Sequence, residues 1–99
     1  MAEFQLIDLS HHNTVTDFLA VKNAGIYGVI LRAGYGREVS QKDPMFDTNY
    51  AAAKDAGLHI GAYWYSYADS VADAAKEATA CLSCIQGKQF DFPVYYEVQ

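Results

Sequence analysis

Positive charge is what this sequence has least of: seven Lys and Arg stand against 12 Asp and Glu, a formal net charge of −5, and the basic residues form no cluster. Phosphate backbones and anionic membrane surfaces are held by basic patches, so nucleic acid and membrane are both excluded as partners. Long apolar runs are missing too. None approaches the ~18 residues of a spanning helix, and Met1-Ala2-Glu3-Phe4 lacks the basic and apolar regions of a signal peptide, so neither is expected. Cysteine is limited to Cys81 and Cys84, too few for a disulfide framework, and the compartment stays open.

Hydrophobic residues, in contrast, make up 52% of the 99 residues, with eight tyrosines among them. That fraction is too high for disorder, and a chain of this length buries roughly 65% of its unfolded surface, enough for one domain over residues 1–99. A repeat organises it. Lys22-Asn23-Ala24-Gly25-Ile26 recurs as Lys54-Asp55-Ala56-Gly57-Leu58, 32 residues later. Each copy closes a helix and opens a strand. Thr14 and Asp17 have capping-box spacing, and Phe18, Val21 and Ala24 share a face, which predicts a helix over 15–24 stopped by Gly25. Asp43 and Pro44 serve as N-cap and first-turn proline of a second helix, with Phe46, Tyr50 and Ala53 as its stripe and Gly57 as its stop.

Gly28 to Ala33 and Ile60 to Tyr65 are too short and too apolar for half-exposed helices and are expected as buried parallel strands. A first strand is expected from Phe4 to Leu9. A third helix runs from Ser70 to Gln86, with Ser70 and Asp73 repeating the capping-box spacing, and Phe92 to Val98 forms a fourth strand opening near Pro93. The order βαβαβαβ demands a parallel sheet and an α/β architecture. It ends on a strand with no helix behind it, an uncovered edge. An eight-fold barrel needs about 250 residues, and four strands with three helices are close to its first half. The expected fold is therefore a (βα) half-barrel with four parallel strands; a small flavodoxin-like protein is the rival.

Ligands of such folds sit at the carboxyl ends of the strands. Those ends read Asp8 to Asn13, Arg32 to Gly36, Tyr63 to Tyr67 and Tyr95 to Gln99, rich in aromatics and carboxylates. Pyranose rings offer apolar C–H faces to such aromatics, and paired acids serve glycosidic bond cleavage, so a sugar ligand is suggested. Other patterns carry less. His11-His12 lacks a partner at ligand spacing, so no metal is expected. Cys81 and Cys84 lie late in a helix, away from a terminus that would activate a thiolate. Gly34-Tyr35-Gly36 lacks the third glycine of a dinucleotide loop, Val39 standing in its place, so no cofactor is expected. Asp69, Asp73 and Glu77 are assigned to a solvated helix face.

Taken in order, Ile7-Asp8-Leu9-Ser10-His11-His12-Asn13, Gly28 to Gly36, Asp43 with Phe46 and Asn49, Ala56-Gly57-Leu58, Gly61-Ala62-Tyr63-Trp64 and Pro93-Val94-Tyr95-Tyr96 resemble glycoside hydrolase family 25. These are lysozymes, or N-acetylmuramidases, of bacteria and phages. The resemblance covers nearly the whole chain and matches the family's N-terminal half. It implies a modified β/α barrel and, as substrate, the β-1,4 bond between N-acetylmuramic acid and N-acetylglucosamine in peptidoglycan. Cell-wall action follows by the same route.

Under the resemblance, Asp8 falls on the family's first-strand aspartate, an orienting or charge-stabilising carboxylate. The family's fourth strand ends in Asp-x-Glu, the glutamate being the proton donor, where this sequence reads Glu97-Val98-Gln99. Glu97 keeps a carboxylate one methylene longer, and catalysis is sensitive to such displacement. An amide at Gln99 cannot donate the proton, so general acid catalysis is lost unless Glu97 substitutes. Tyr35, Tyr63 and Trp64 fall near the family's glycan groove, where lining a sugar site and filling the core both remain open. The plainer role for Asp8 is to cap the following turn, and the resemblance favours the site; Glu97 and Gln99 share a strand face but stand at a chain end. Three functions follow as expectations: an impaired muramidase, a non-catalytic glycan-binding half-barrel, and a homodimer formed through exposed strand edges.

Overall fold

The computed structural model describes residues 5–10 and 15–98. Four strands, β1 (Leu6–Leu9), β2 (Gly28–Tyr35), β3 (His59–Ser66) and β4 (Val94–Val98), pair in parallel in the order β1-β2-β3-β4. Between them run α1 (Phe18–Asn23), α2 (Phe46–Asp55) and α3 (Val71–Ile85), with a 3-10 turn at Val39–Gln41. This is the expected half-barrel, an α/β sheet of four parallel strands.

Burial follows strand alternation. Val29, Leu31 and Ala33 on β2 and Ile60, Ala62 and Trp64 on β3 meet Phe46 and Ala53 of α2 and Ala80, Cys81 and Cys84 of α3 in one core. Removing these apolar side chains from water is the main force holding helices to sheet. The opposite face, expected to line a barrel interior, carries Asp8, Tyr63 and Glu97.

Gly25 and Gly57 take positive φ (98° and 82°), the left-handed stop predicted at the first two helix ends, and Gly87 (81°) ends the third in the same way. Helix starts differ more from expectation. The first helix begins at Phe18, because the Asp17 carboxylate accepts the Ala20 N–H at 3.0 Å and becomes the N-cap; Thr14 lies outside the described residues. The second begins at Phe46, since Asp43 is drawn into the core. Its carboxylate accepts the Met45 N–H at 2.8 Å and pairs with Arg32 instead of capping a longer helix. Ser70 caps α3 as predicted, accepting the Asp73 N–H at 3.1 Å.

One irregularity positions the site. Along β2 and β3, Arg32 pairs with Tyr63, whereas Gly34 pairs with Trp64 and Tyr35 with Tyr65, leaving Ala33 as an extra residue. The bulge flips the alternation, so Arg32 and Tyr35 share the open face although three positions apart. Glycine at 34 is required by what lies opposite: a Cβ there would stand 2.6 Å from the Trp64 ring.

Candidate active site

Asp8, Ile30, Tyr63, Tyr95 and Glu97 line a hollow of about 390 Å³ on the open face. Asp8 pairs in register with Ile30 on β2, Tyr63 with Tyr95 across β3 and β4, and Glu97 sits one step along beside Tyr65. The parallel register therefore brings together carboxylates 89 positions apart in the chain, on the first and fourth strands. Tyr63 lies at the centre. Burial pushes its hydroxyl pKa up; Arg32 opposes this, and Glu97, Asp8 and Asp43 add to it, so the phenol is surrounded by the site's charges.

Beside this hollow stands a pair that sequence reading did not assign to the site. Arg32 Nε donates to Asp43 Oδ2 at 3.0 Å, with the two side chains only 13% and 1% exposed. Asp43 is held in turn through its own N–H, which donates to the Ala33 carbonyl at 2.8 Å. The guanidinium carbon lies 5.5 Å from the Tyr35 ring centroid, a cation–π distance. The available signal was an arginine inside an otherwise apolar buried run, Val29-Ile30-Leu31-Arg32-Ala33, since a buried charge needs a partner. Tyr95, named at a strand end but given no role in the site, stands two residues from Glu97 and so on the same strand face.

The expected residues are distributed unevenly. Asp8, Tyr63 and Glu97 meet in the hollow. Tyr35 lines a neighbouring one of about 300 Å³ with Arg37, Tyr67 and Asp73. Trp64 is a correction: strand alternation sends it to the helix side, fully buried, where Nε1 donates to the Gly36 carbonyl at 2.9 Å, so it fills core away from the hollow that holds Asp8 and Glu97. Gln99, His11 and His12 lie outside the described residues.

Glu77 is the second correction. Expected on a solvated face, it has 0% exposure and binds at the ends of β3 and β4. Ser66 Oγ donates to it at 2.7 Å and the Tyr67 N–H at 2.8 Å, and the Tyr96 hydroxyl makes a further short hydrogen bond. This clamp ties β4, the edge strand that carries Glu97, to β3 and α3.

The α/β fold of four parallel strands is what the comparisons with known proteins match. The sequence profile of Glycosyl hydrolases family 25 matches residues 7–97. The chain belongs to that family. Among solved structures, the CTP1L endolysin superposes with a TM-score of 0.81 at 33% identity, covering 93% of this chain and 33% of that one. The autolysin LytC from Streptococcus pneumoniae, solved with a synthetic peptidoglycan ligand, gives 0.84 at 28% identity, covering 95% and 22%. The bacterial lysozyme from Streptomyces coelicolor gives 0.71 at 31%, covering 83% and 36%. The family 25 chain described here thus spans roughly a third or less of these three structures' length. No curated protein gives a significant match.

Proposed function

We propose that the open face binds a peptidoglycan glycan strand across the β-1,4 bond between N-acetylmuramic acid and N-acetylglucosamine, and that hydrolysis by this chain is strongly impaired. The observation that carries the proposal is the shared hollow of Asp8, Tyr63 and Glu97. Tyrosine faces stack on pyranose C–H surfaces, which supplies binding without a cofactor. Glycosidic cleavage needs two carboxyl groups, one protonating the leaving oxygen and one acting on the opposite face of the sugar. Asp8 fits the orienting or charge-stabilising role. The proton-donor position of the family falls on Gln99, an amide, which leaves Glu97 as the acid of this chain, one methylene longer than the family's aspartate and so misplaced for its partner.

The test is to mix the chain with insoluble peptidoglycan, following co-sedimentation and turbidity together. Co-sedimentation is expected, weakened by Tyr63→Ala, with slow or no clearing and any clearing abolished by Glu97→Gln. Rapid clearing, or clearing indifferent to Glu97→Gln, would overturn the assignment.

A second reading, self-association, draws on the surface between α3 and β4. Leu82, Val94, Tyr95 and Tyr96 are 65%, 39%, 47% and 46% exposed, an apolar patch beside a strand edge unpaired among the described residues. Two copies pairing such edges would close an eight-stranded barrel.

A further inference from the structure

Glu77 is a buried carboxylate that the chemistry above leaves unused, and it stands where β4 needs guidance. The side chains of this edge strand do not choose its register. Tyr95 and Tyr96, on opposite faces, are 47% and 46% exposed, so turning the strand over costs little in burial. Its entry is slack as well. Asp91 is bonded to Ile60 both ways, its N–H donating to the Ile60 carbonyl at 2.8 Å and its carboxylate accepting the Ile60 N–H at 2.9 Å. Val94 pairs with Ala62, so three steps from Asp91 answer two from Ile60, and this stretch carries one residue more than β3 beside it. A ladder one residue out of step takes that residue up. Tyr95 would then stand opposite Trp64 and Glu97 opposite Ser66, on the α3 face of the sheet, and the hollow would lose its second carboxylate.

Glu77 discriminates between the two ladders. In the observed one, the Tyr96 hydroxyl donates a short hydrogen bond to it, and Ser66 Oγ stands 2.7 Å from the same carboxylate oxygen and 2.8 Å from the Tyr96 hydroxyl. The Tyr67 N–H holds the other oxygen at 2.8 Å. In the shifted ladder Glu97 would enter this cluster beside Ser66. Two carboxylates would then share one buried site, where like charges repel far more strongly than in water.

We propose that Glu77 is a positioning residue that sets the register of β4: it draws the Tyr96 hydroxyl to the α3 side and excludes the Glu97 carboxylate from it, so that Glu97 stands in the hollow with Asp8. The consequence for catalysis rests on the reading of that hollow as a glycan site; the register assignment does not.

Nuclear magnetic resonance of the full chain reads the register through proton contacts between β3 and β4. The unaltered chain is expected to show one set, Trp64 with Tyr96 and Tyr65 with Glu97. Glu77→Ala, which removes both acceptor and charge, should add a second set shifted by one residue, Trp64 with Tyr95 and Ser66 with Glu97. Glu77→Gln keeps the shape and an acceptor without the charge, so the shifted set is expected there too, in a smaller share. Contacts of Arg32 with Tyr63 should persist in both variants and show that the sheet is intact. A residue that only stabilised the fold would lower the unfolding midpoint and leave the ladder in step. Absence of the shifted set from both variants, whether the native contacts persist or all β3–β4 contacts are lost, overturns the proposal. Peptidoglycan clearing by the same samples should fall with the share of native ladder; clearing unchanged while the ladder shifts would overturn the positioning role. If the unaltered chain neither binds nor clears peptidoglycan, the glycan reading falls and the register result stands.

Discussion

Glu77 shows how far one carboxylate can depart from its local pattern. Asp69, Asp73 and Glu77 follow at helical spacing, and such a row ordinarily faces water. Asp73 conforms, pairing with Arg37 at the surface. Glu77 turns inward because Ser66 and Tyr96, 11 positions before it and 19 after, supply hydroxyls in the core. Those partners come from two strands, and no window along the chain contains them. Burial pushes the Glu77 pKa up, but hydrogen bonds from Tyr96, Ser66 and the Tyr67 N–H outweigh it, so the net shift is below the usual 4.5. A carboxylate depressed in the folded state stabilises the fold above its unfolded pKa and loses that contribution as pH falls through the folded value. Glu77→Gln is therefore expected to reduce stability by about 2 kcal/mol near neutral pH, and by progressively less below pH 4.5. Denaturant titrations at several pH values would show it; a loss independent of pH would contradict the account.

The bulge in β2 is the element on which the open face depends. It aligns Arg32 and Tyr35 with the tyrosines of β3, and it tolerates no side chain at Gly34, where a Cβ would also approach the Gln41 carbonyl oxygen to 2.9 Å. Overpacking of this kind costs about 2 kcal/mol, so Gly34→Ala should lower the unfolding midpoint and perturb Trp64 fluorescence, because the Trp64 ring is what the new methyl meets. Gly25→Ala offers the contrast. Nothing lies within 4 Å there, and its expected cost of about 1 kcal/mol comes from the φ of 98° alone, with Trp64 emission unchanged. Helix stops were legible because a glycine after an apolar stripe signals them locally. The start of α2 at Phe46 was not, since Asp43 is taken up by Arg32, a partner that β2 supplies.

The molecule as a whole is a sheet with one covered face. Helices shield Val29, Ile60 and Trp64, while Leu6, Tyr67 and Tyr95 stay open, and β1 and β4 have unpaired edges among the described residues. Parallel sheets ordinarily have both faces covered, which favours association. Light scattering over a concentration series should return a dimer mass at the upper end, and Leu82→Lys, which charges the patch beside β4, should shift the equilibrium to monomer. A constant monomer mass would refute edge pairing.

Local order was written into the chain: alternating apolar strands, glycine stops, the 32-residue repeat and the ordered family motifs act over short distances, where periodicity and backbone sterics suffice. Asp8, Tyr63 and Glu97 lie in strand ends that a parallel sheet brings together, and the resemblance to family 25 singled them out there. Which of two neighbouring aromatics faces the open side was decided by strand register, which set Tyr63 in the hollow and Trp64 in the core, while one extra residue in β2 turned Tyr35 to the open face. The partners of Arg32 and Glu77 were likewise fixed only when distant strands and helices packed. A buried charge is governed by what surrounds it in space, and that surrounding exists only in the folded molecule.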